Sequence, residues 1–390
     1  VNRTLTGREV DTGRPIRVLI EGPTIQAVEA LGDSTECDDL WLAPALWDLQ
    51  VNGGTGVSFS DPSLTVEQVR RVCEDQRGAG VARFCPALIT ASEAAIRHGV
   101  SVIAEACERD ERVAAMILGI HLEGPAISER DGYRGAHPRE HVRDLAWEEF
   151  LRLQEASGGR VVLVTLAPER PGAIRLIARL VAAGVVVALG HTAADAATIR
   201  AAIEAGARLS THLGNGIASP LPRHPNPIWI QAAEDRLVAS LIADLAHLDE
   251  SILRVLARAK GVERTILVSD LSPLAGRPPG VYGEWQVCQD GRIVVAGTEY
   301  LAGAWTSLRR CIENAARVTG WTAAEAIRCA TENVARLLGI APPVIEPGAP
   351  ANLVTIATRL VGGRRLPRFV DGVIHGEAVV WPEHPERSTD

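Results

Sequence analysis

Lysine is almost missing from this 390-residue chain: Lys260, in the segment ARAKG, stands alone, and every other Lys/Arg position is arginine. A mechanism that needs a strand-end lysine therefore has one candidate to draw on. The seven cysteines (Cys37, Cys73, Cys85, Cys107, Cys288, Cys311, Cys329) are odd in number and widely spaced, with no CxxC and no tight Cys/His cluster. That pattern excludes a structural zinc module and a disulfide scaffold. No run of about 18 apolar residues occurs, and the opening VNRTLTGREVDTGRP lacks the charged-then-apolar layout of a signal peptide, so a cytoplasmic chain without a membrane partner is expected. Lys and Arg are scattered rather than striped on a chain of net charge -8 and pI about 5.8, which argues against nucleic acid as a partner. What is present is apolar: 46% hydrophobic against 23% charged residues excludes disorder, collagen and coiled coil and supports a large core. The length suits one large α/β barrel with a small appended domain.

From Trp41 to about residue 270 short apolar runs alternate with longer helical patterns. The runs are LAPALWDLQV (42–51), ARFCPALIT (82–90), AAMILGIHLEG (114–124), RVVLVTLAPE (160–169), GVVVALGH (184–191), ARLSTHL (207–213), RLVASLIAD (236–244) and RTILVSD (264–270). Between several of them, as in SLTVEQVRRVCEDQRGAG and HTAADAATIRAAIEAGA, apolar residues recur at three and four and a glycine follows, the marks of crossover helices. Eight buried strands, most followed by helices, predict a (β/α)8 TIM-type barrel, with a doubly wound open sheet as the alternative. VYGEWQVCQDGRIVVAG (281–297) alternates around Asp290-Gly291 and predicts an inserted hairpin. AWTSLRRCIENAARVTG and TAAEAIRCATENVARLLG predict two long amphipathic helices. Both chain ends carry short strand-like pieces, which predicts one small β-sandwich domain from residues 1–42 and 343–390 beside a barrel of residues 43–342. The tail WPEHPERSTD reads as a frayed end.

A barrel carries its active site at the carboxyl ends of its strands. The polar residues there are Asp48, Gln50 and Asn52 on the first run, His121 and Glu123 on the third, His191 on the fifth, His212 on the sixth, Asp244 and His247 on the seventh and Asp270 on the eighth. One such residue alone reads as a helix cap or a satisfied polar group. Imidazoles and carboxylates converging from several strands suit instead a zinc or ferrous ion with an open coordination position.

The motifs DLQVNGG (48–54), HLEGP (121–125), RGAHP (134–138), TLAPE (165–169), GHT (190–192), THLGN (211–215), IAD with its following His (242–247), LVSD (267–270) and LAGA (301–304) resemble, in this order, those of the N-acetylglucosamine-6-phosphate deacetylases of the amidohydrolase superfamily. The resemblance runs over nearly the whole chain and implies a metal-dependent barrel with a flanking β-sandwich. By motif it implies Glu123, His191 and His212 as ligands of one divalent metal per chain, zinc first, with iron or another divalent ion accommodated by the same donors. The HxH pair of two-metal amidohydrolases is replaced by Gln50 and Asn52, which either support the site or cap the barrel mouth, and Lys260 lies in a helix-end pattern, so a single tightly held metal is expected.

The resemblance further implies Asp270 as the acid–base group and His247 as a substrate-contacting histidine that orients the ligand or stabilises charge on the carbonyl oxygen. His137, Asn215, Gly216 and Arg223 are the implied sugar-phosphate contacts, the arginine in its own or a neighbouring subunit of a homodimer, and His121 is an inward hydrogen-bonding partner. Two stretches depart from the family pattern: Gly214 stands where a large residue is common, and DLAH (244–247) replaces DGLH. The expected activity is removal of the N-acetyl group from N-acetylglucosamine 6-phosphate, giving acetate and the free amine in amino-sugar metabolism. The alternatives are a deacetylase of another N-acetylhexosamine or N-acyl compound and a non-catalytic sugar-binding barrel; the full set Glu123, His191, His212 and Asp270 argues against the last. A metal-independent isomerase would want a glycine-rich phosphate loop, of which SPLAG (272–276) is a faint echo.

Overall fold

The computed structural model describes residues 2–32, 39–361 and 363–381; Cys37 and the tail from residue 382 lie outside the described residues. Eight strands, Leu46–Val51 (β1), Val81–Ile89 (β2), Ile120–Glu123 (β3), Val161–Leu166 (β4), Val186–Leu189 (β5), Leu209–Ser210 (β6), Val238–Ile242 (β7) and Thr265–Val268 (β8), pair in sequence order in one sheet. A parallel bridge from Val51 to Leu271 joins its two edges, so the sheet is a barrel and the open doubly wound alternative falls. Each predicted apolar run coincides with one of these strands, the second strand beginning one residue before its run, at Val81. The strands are buried throughout or nearly so because helices cover them outside while Trp47, Leu49, Cys85, Leu163, Ala188, Leu209, Ile242, Ile266 and Val268 form one buried cluster of barrel-strand side chains.

The helices follow their local signals. Thr65 and Gln68 close a reciprocal capping box at the start of Val66–Gly78, and Asp195 caps Ala196–Glu204. Two expectations about helices need correction. The run 114–124 is not one strand: Asp110 caps a short helix, Glu111–Met116, by accepting from the N–H groups of Arg112 and Val113, and strand begins only at Ile120. The second of the long C-terminal helices is also two, Ala323–Arg328 and Glu332–Leu338, after Leu308–Thr319. At the break the Cys329 and Ala330 carbonyls accept barrel N–H groups from Leu267 and Trp47 at 2.9 and 2.8 Å, so tertiary hydrogen bonds compensate the interrupted helix.

Both chain ends build the small β-sandwich domain: a seven-stranded sheet with Asn2–Glu9, Pro15–Glu21, Thr24–Ala30 and Leu40–Pro44 from one end and Leu353–Val361, Arg364–Ile374 and Glu377–Val380 from the other. Its core is Ile16, Val18, Ile20, Ile25, Leu42, Leu353 and Val373. Trp381, expected in the frayed tail, is instead buried and donates from its indole N–H to the Gly78 carbonyl at 2.7 Å, tying the last described residue to the barrel. The insertion after β8 carries one strand more than the predicted hairpin: Gly280–Tyr282 joins Trp285–Val287 and Ile293–Val295. This small sheet stands over the carboxyl ends of the barrel strands, where Trp285, Glu299 and Tyr300 help line a cavity of about 210 Å³.

Candidate active site

Glu123 ends β3, His191 and His212 follow β5 and β6, and Asp270 follows β8. Six non-glycine residues among those described have a positive φ, and four of them, His191, His212, Leu245 and Asp270, sit just past barrel strands. Such backbone is costly for a residue with a Cβ and clusters where geometry serves function. The three side chains of Glu123, His191 and His212 are buried and their ligand atoms all lie within 4.8 Å of one another. Glu123 Oε1 is 2.9 Å from His212 Nε2 and 3.3 Å from His191 Nε2. Burial is the largest influence on the Glu123 carboxyl and favours its neutral form, but the two imidazoles outweigh it and hold the group well below the usual carboxylate range.

The tautomer of His191 is set from behind. Its Nδ1 lies 2.9 Å from the Tyr133 carbonyl, an acceptor only, so Nδ1 carries a proton and Nε2 is the nitrogen left to serve as a metal ligand. The ring is packed between two glycines: a Cβ on Gly216 would sit 2.7 Å from His191 Nδ1, and one on Gly135 3.1 Å from Cε1. One carboxylate oxygen and two imidazole nitrogens facing one point are a donor set that fits a divalent ion with a position left for water or substrate.

Gln50 and Asn52 support the site. Gln50 Nε2 bridges the two carboxylates, donating to Glu123 Oε2 at 3.1 Å and Asp270 Oδ1 at 2.8 Å, and Asn52 Nδ2 donates to the same Asp270 Oδ1 at 2.7 Å. Asp270 Oδ2 takes no hydrogen bond from the described residues. Burial first, then the Glu123 charge, push the Asp270 carboxyl above its ordinary range. Beneath it Asp48, fully buried, accepts from the Ser269 N–H at 3.2 Å and ties β1 to the end of β8; burial pushes it up to about 7. Gly303 is required by the same close packing, since a Cβ there would lie 2.9 Å from the Asp270 carbonyl oxygen.

His137 comes closer to the cluster than a sugar contact needs: its Nε2 is 4.0 Å from Glu123 Oε2. Its Nδ1 accepts the Thr90 N–H at 3.3 Å and lies 2.9 Å from Thr90 Oγ1, which leaves the proton on Nε2, facing the cavity. Burial holds this ring down to about 3, so it stays a neutral donor. His121 points inward as expected and bonds to Thr165 Oγ1 at 2.7 Å, with Thr165 in turn 2.7 Å from Thr211 Oγ1.

The chain from residue 41 to 379 matches the model of the amidohydrolase family. It is 34% identical over 340 residues to the N-acetylglucosamine-6-phosphate deacetylase of Bos taurus, covering 83% of this chain and 81% of that protein. The chain belongs to the N-acetylglucosamine-6-phosphate deacetylase family of amidohydrolases. It is equally similar, at 34% over 342 residues, 86% of this chain and 89% of the other, to the N-acetylgalactosamine-6-phosphate deacetylase of Escherichia coli O157:H7. A solved deacetylase of Mycobacterium smegmatis in complex with N-acetyl-D-glucosamine-6-phosphate superposes with a TM-score of 0.83 at 32% identity, covering 97% of this chain and 100% of that one.

Of the other residues read from the sequence of this deacetylase-family chain, His247, Asn215 and Gly216 line the cavity with the cluster, and Asn215 also donates to the His212 carbonyl at 3.2 Å. Arg223 does not join them: it is exposed on the loop before the helix Pro227–Ala233 and is absent from the cavity lining. Lys260, the last residue of the helix Glu250–Lys260, is committed elsewhere, donating to the carbonyls of Gln231, Glu234 and Leu237 at 2.6, 2.8 and 2.9 Å. Sequence reasoning passed over Thr90, which ends the second run, because hydroxyls are poor metal ligands; its place at a strand end was the available signal. The carbonyl of Tyr133 had none, since a backbone oxygen leaves no mark on composition. No helix among the described residues is long and apolar enough to cross a membrane.

Proposed function

We propose that this amidohydrolase removes the acetyl group of an N-acetylhexosamine 6-phosphate, N-acetylglucosamine 6-phosphate first, with one divalent metal, zinc in the first place, held by Glu123, His191 and His212. The observation that carries the reading is the pairing of this donor set with a buried carboxylate, Asp270, one of whose oxygens is occupied by two amide donors and the other left for substrate or water. When bound, the ion supplies Lewis-acid polarisation and acidification of water. The rest is done by side chains of the chain. Asp270, raised in proton affinity by burial, takes the proton from the attacking water through Oδ2 and returns it to the departing amine nitrogen. Gln50 and Asn52 hold the carboxylate in place through Oδ1. His137, a neutral Nε2–H donor, is suited to the acetyl carbonyl oxygen as negative charge develops there. His247, Asn215 and Gly216 contact the sugar.

The cavity is lined by no Arg or Lys among the described residues, although the proposed substrate carries a phosphate. This supports a homodimer in which the exposed Arg223 of one copy meets the phosphate in the pocket of the other, where its planar fork of donors suits phosphate oxygens. A phosphorylated sugar does not cross membranes unaided, which supports a cytoplasmic setting. The galacto epimer is the second reading, favoured by the equal similarity to the Escherichia coli relative. Acetate release from N-acetylglucosamine 6-phosphate, N-acetylgalactosamine 6-phosphate and the two unphosphorylated sugars tests all of this: the gluco phosphate is expected to give the highest kcat/KM, and turnover of none of the four refutes the reading.

A further inference from the structure

The seventh strand ends in a tight turn that the proposed mechanism leaves unused. Asp244 Oδ1 accepts two backbone N–H groups, from Ala246 at 2.9 Å and His247 at 2.8 Å, and its Oδ2 lies 2.8 Å from His247 Nδ1. Both side chains are almost wholly buried, 4% and 5% exposed. Leu245 between them has φ 67, the left-handed conformation that a side chain disfavours. The preceding carbonyl, of Ala243, is pinned by Asn314 Nδ2 at 2.9 Å. A strained residue and four hydrogen bonds thus fix the turn that carries the His247 imidazole, one of them made by the ring itself, at the wall of the cavity.

Chemistry fixes what that arrangement does. A carboxylate only accepts, so the His247 nitrogen facing Asp244 must carry a proton. Burial is the largest influence on the Asp244 carboxyl and favours its neutral form, but the His247 ring and the backbone N–H groups outweigh it and keep the group ionised. In the neutral ring Nε2 then offers a lone pair, an acceptor for hydrogen-bond donors of a substrate such as an amide N–H or ring hydroxyl. Resting on the deacetylase reading, we infer that Asp244 is a positioning residue that holds His247 in one orientation and as the Nδ1–H tautomer, so that His247 meets the substrate as a hydrogen-bond acceptor. His137, fixed by Thr90 as an Nε2–H donor, has the opposite polarity, so the two histidines divide acceptor and donor roles across the cavity.

Asp244→Asn tests the inference. The amide oxygen replaces Oδ1 toward the two backbone N–H groups, which turns the NH2 group toward His247 Nδ1 and drives the ring proton to Nε2. Nitrogen-15 NMR of histidine-labelled, metal-loaded protein, with His247→Gln used for assignment, is expected to show the neutral Nδ1–H form in the wild type and the Nε2–H form in the variant. A wild-type ring that is Nε2–H, or protonated on both nitrogens, overturns the inference whether or not the substrate has been identified. In turnover, Asp244→Asn is expected to lower kcat/KM roughly 10- to 100-fold with metal content unchanged, the scale of losing a partner that orients a functional histidine. Because Asp244 acts through His247, adding Asp244→Asn to His247→Gln should cost nothing further. A full additional loss in that background, or no loss on His247→Gln alone, contradicts the inference while leaving the deacetylase reading standing. A wild type that deacetylates none of the four sugars fails that reading instead, and the NMR result still decides the tautomer.

Discussion

Replacing Lys260 by methionine isolates a single buried device. The Lys260 side chain is 1% exposed, and its three hydrogen bonds clamp the end of the helix Pro227–Ala233, which follows the loop carrying Arg223, to the start of β7. Methionine keeps most of the stem volume and removes all three donors. The Glu234 carbonyl keeps one other partner, the Leu237 N–H at 3.2 Å, so two of the three acceptors bear most of the loss. At about 1–3 kcal/mol for each buried acceptor left without its donor, offset by the relief of no longer burying an ammonium, the net cost is about 2–4 kcal/mol. For 390 residues unfolding near 60 °C carries an entropy of about 0.8 kcal/mol per degree, so Tm should fall by about 2.5–5 °C by calorimetry. The sign of the pH dependence is also fixed. Burial pushes the Lys260 ammonium down to about 8, so between there and the free-lysine value of about 10.4 the unfolded chain binds more protons and wild-type stability gains as pH rises. The variant lacks that slope. A Tm within about 1 °C of wild type, together with an unchanged pH slope, would refute the clamp.

Three other perturbations follow from the geometry. Asp270→Asn should keep metal and fold and lose roughly a hundredfold or more in kcat, the scale of a general acid–base group; retained turnover removes Asp270 from the mechanism. Arg223→Ala should raise KM for a phosphorylated substrate roughly ten- to a hundredfold and leave unphosphorylated analogues unaffected, and equal effects on both would take Arg223 out of phosphate recognition. Leu245→Gly should relieve the left-handed strain at φ 67 and, after the loss of its partly buried side chain, change stability by no more than about 1 kcal/mol, whereas Leu245→Ala, which keeps the strain and loses the packing, should destabilise more; urea midpoints that rank the two the other way contradict the strain assignment.

The barrel was legible because each strand is a short apolar run bounded by turn residues, and the cluster was legible because Glu123, His191, His212 and Asp270 fall where such runs stop. What escaped the sequence was set by groups far away in the chain. The helix Glu111–Met116 and the strand after it share one apolar stretch, and only the cap at Asp110 separates them. The break at Cys329–Thr331 depends on barrel N–H groups from residues 47 and 267. The tautomers of His191 and His137 depend on Tyr133 and Thr90, which approach through the third loop and the end of β2. In the sequence Gln50 and Asn52 fit capping and support equally well; in the structure Gln50 donates to Glu123 and Asp270, and Asn52 donates to Asp270. Arg223 marks the limit of a single chain, since its proposed site is formed only by a second copy.

One metal-centred site that hydrolyses an amide is the central proposal for this protein, and stepwise addition of zinc to metal-depleted protein while acetate release from N-acetylglucosamine 6-phosphate is recorded tests it most directly. Turnover should be absent without metal, rise linearly and level off at one equivalent per chain, with no such rise in a protein carrying His191→Asn and His212→Asn. Full turnover by the metal-free protein, or a plateau reached only at two equivalents, would contradict it.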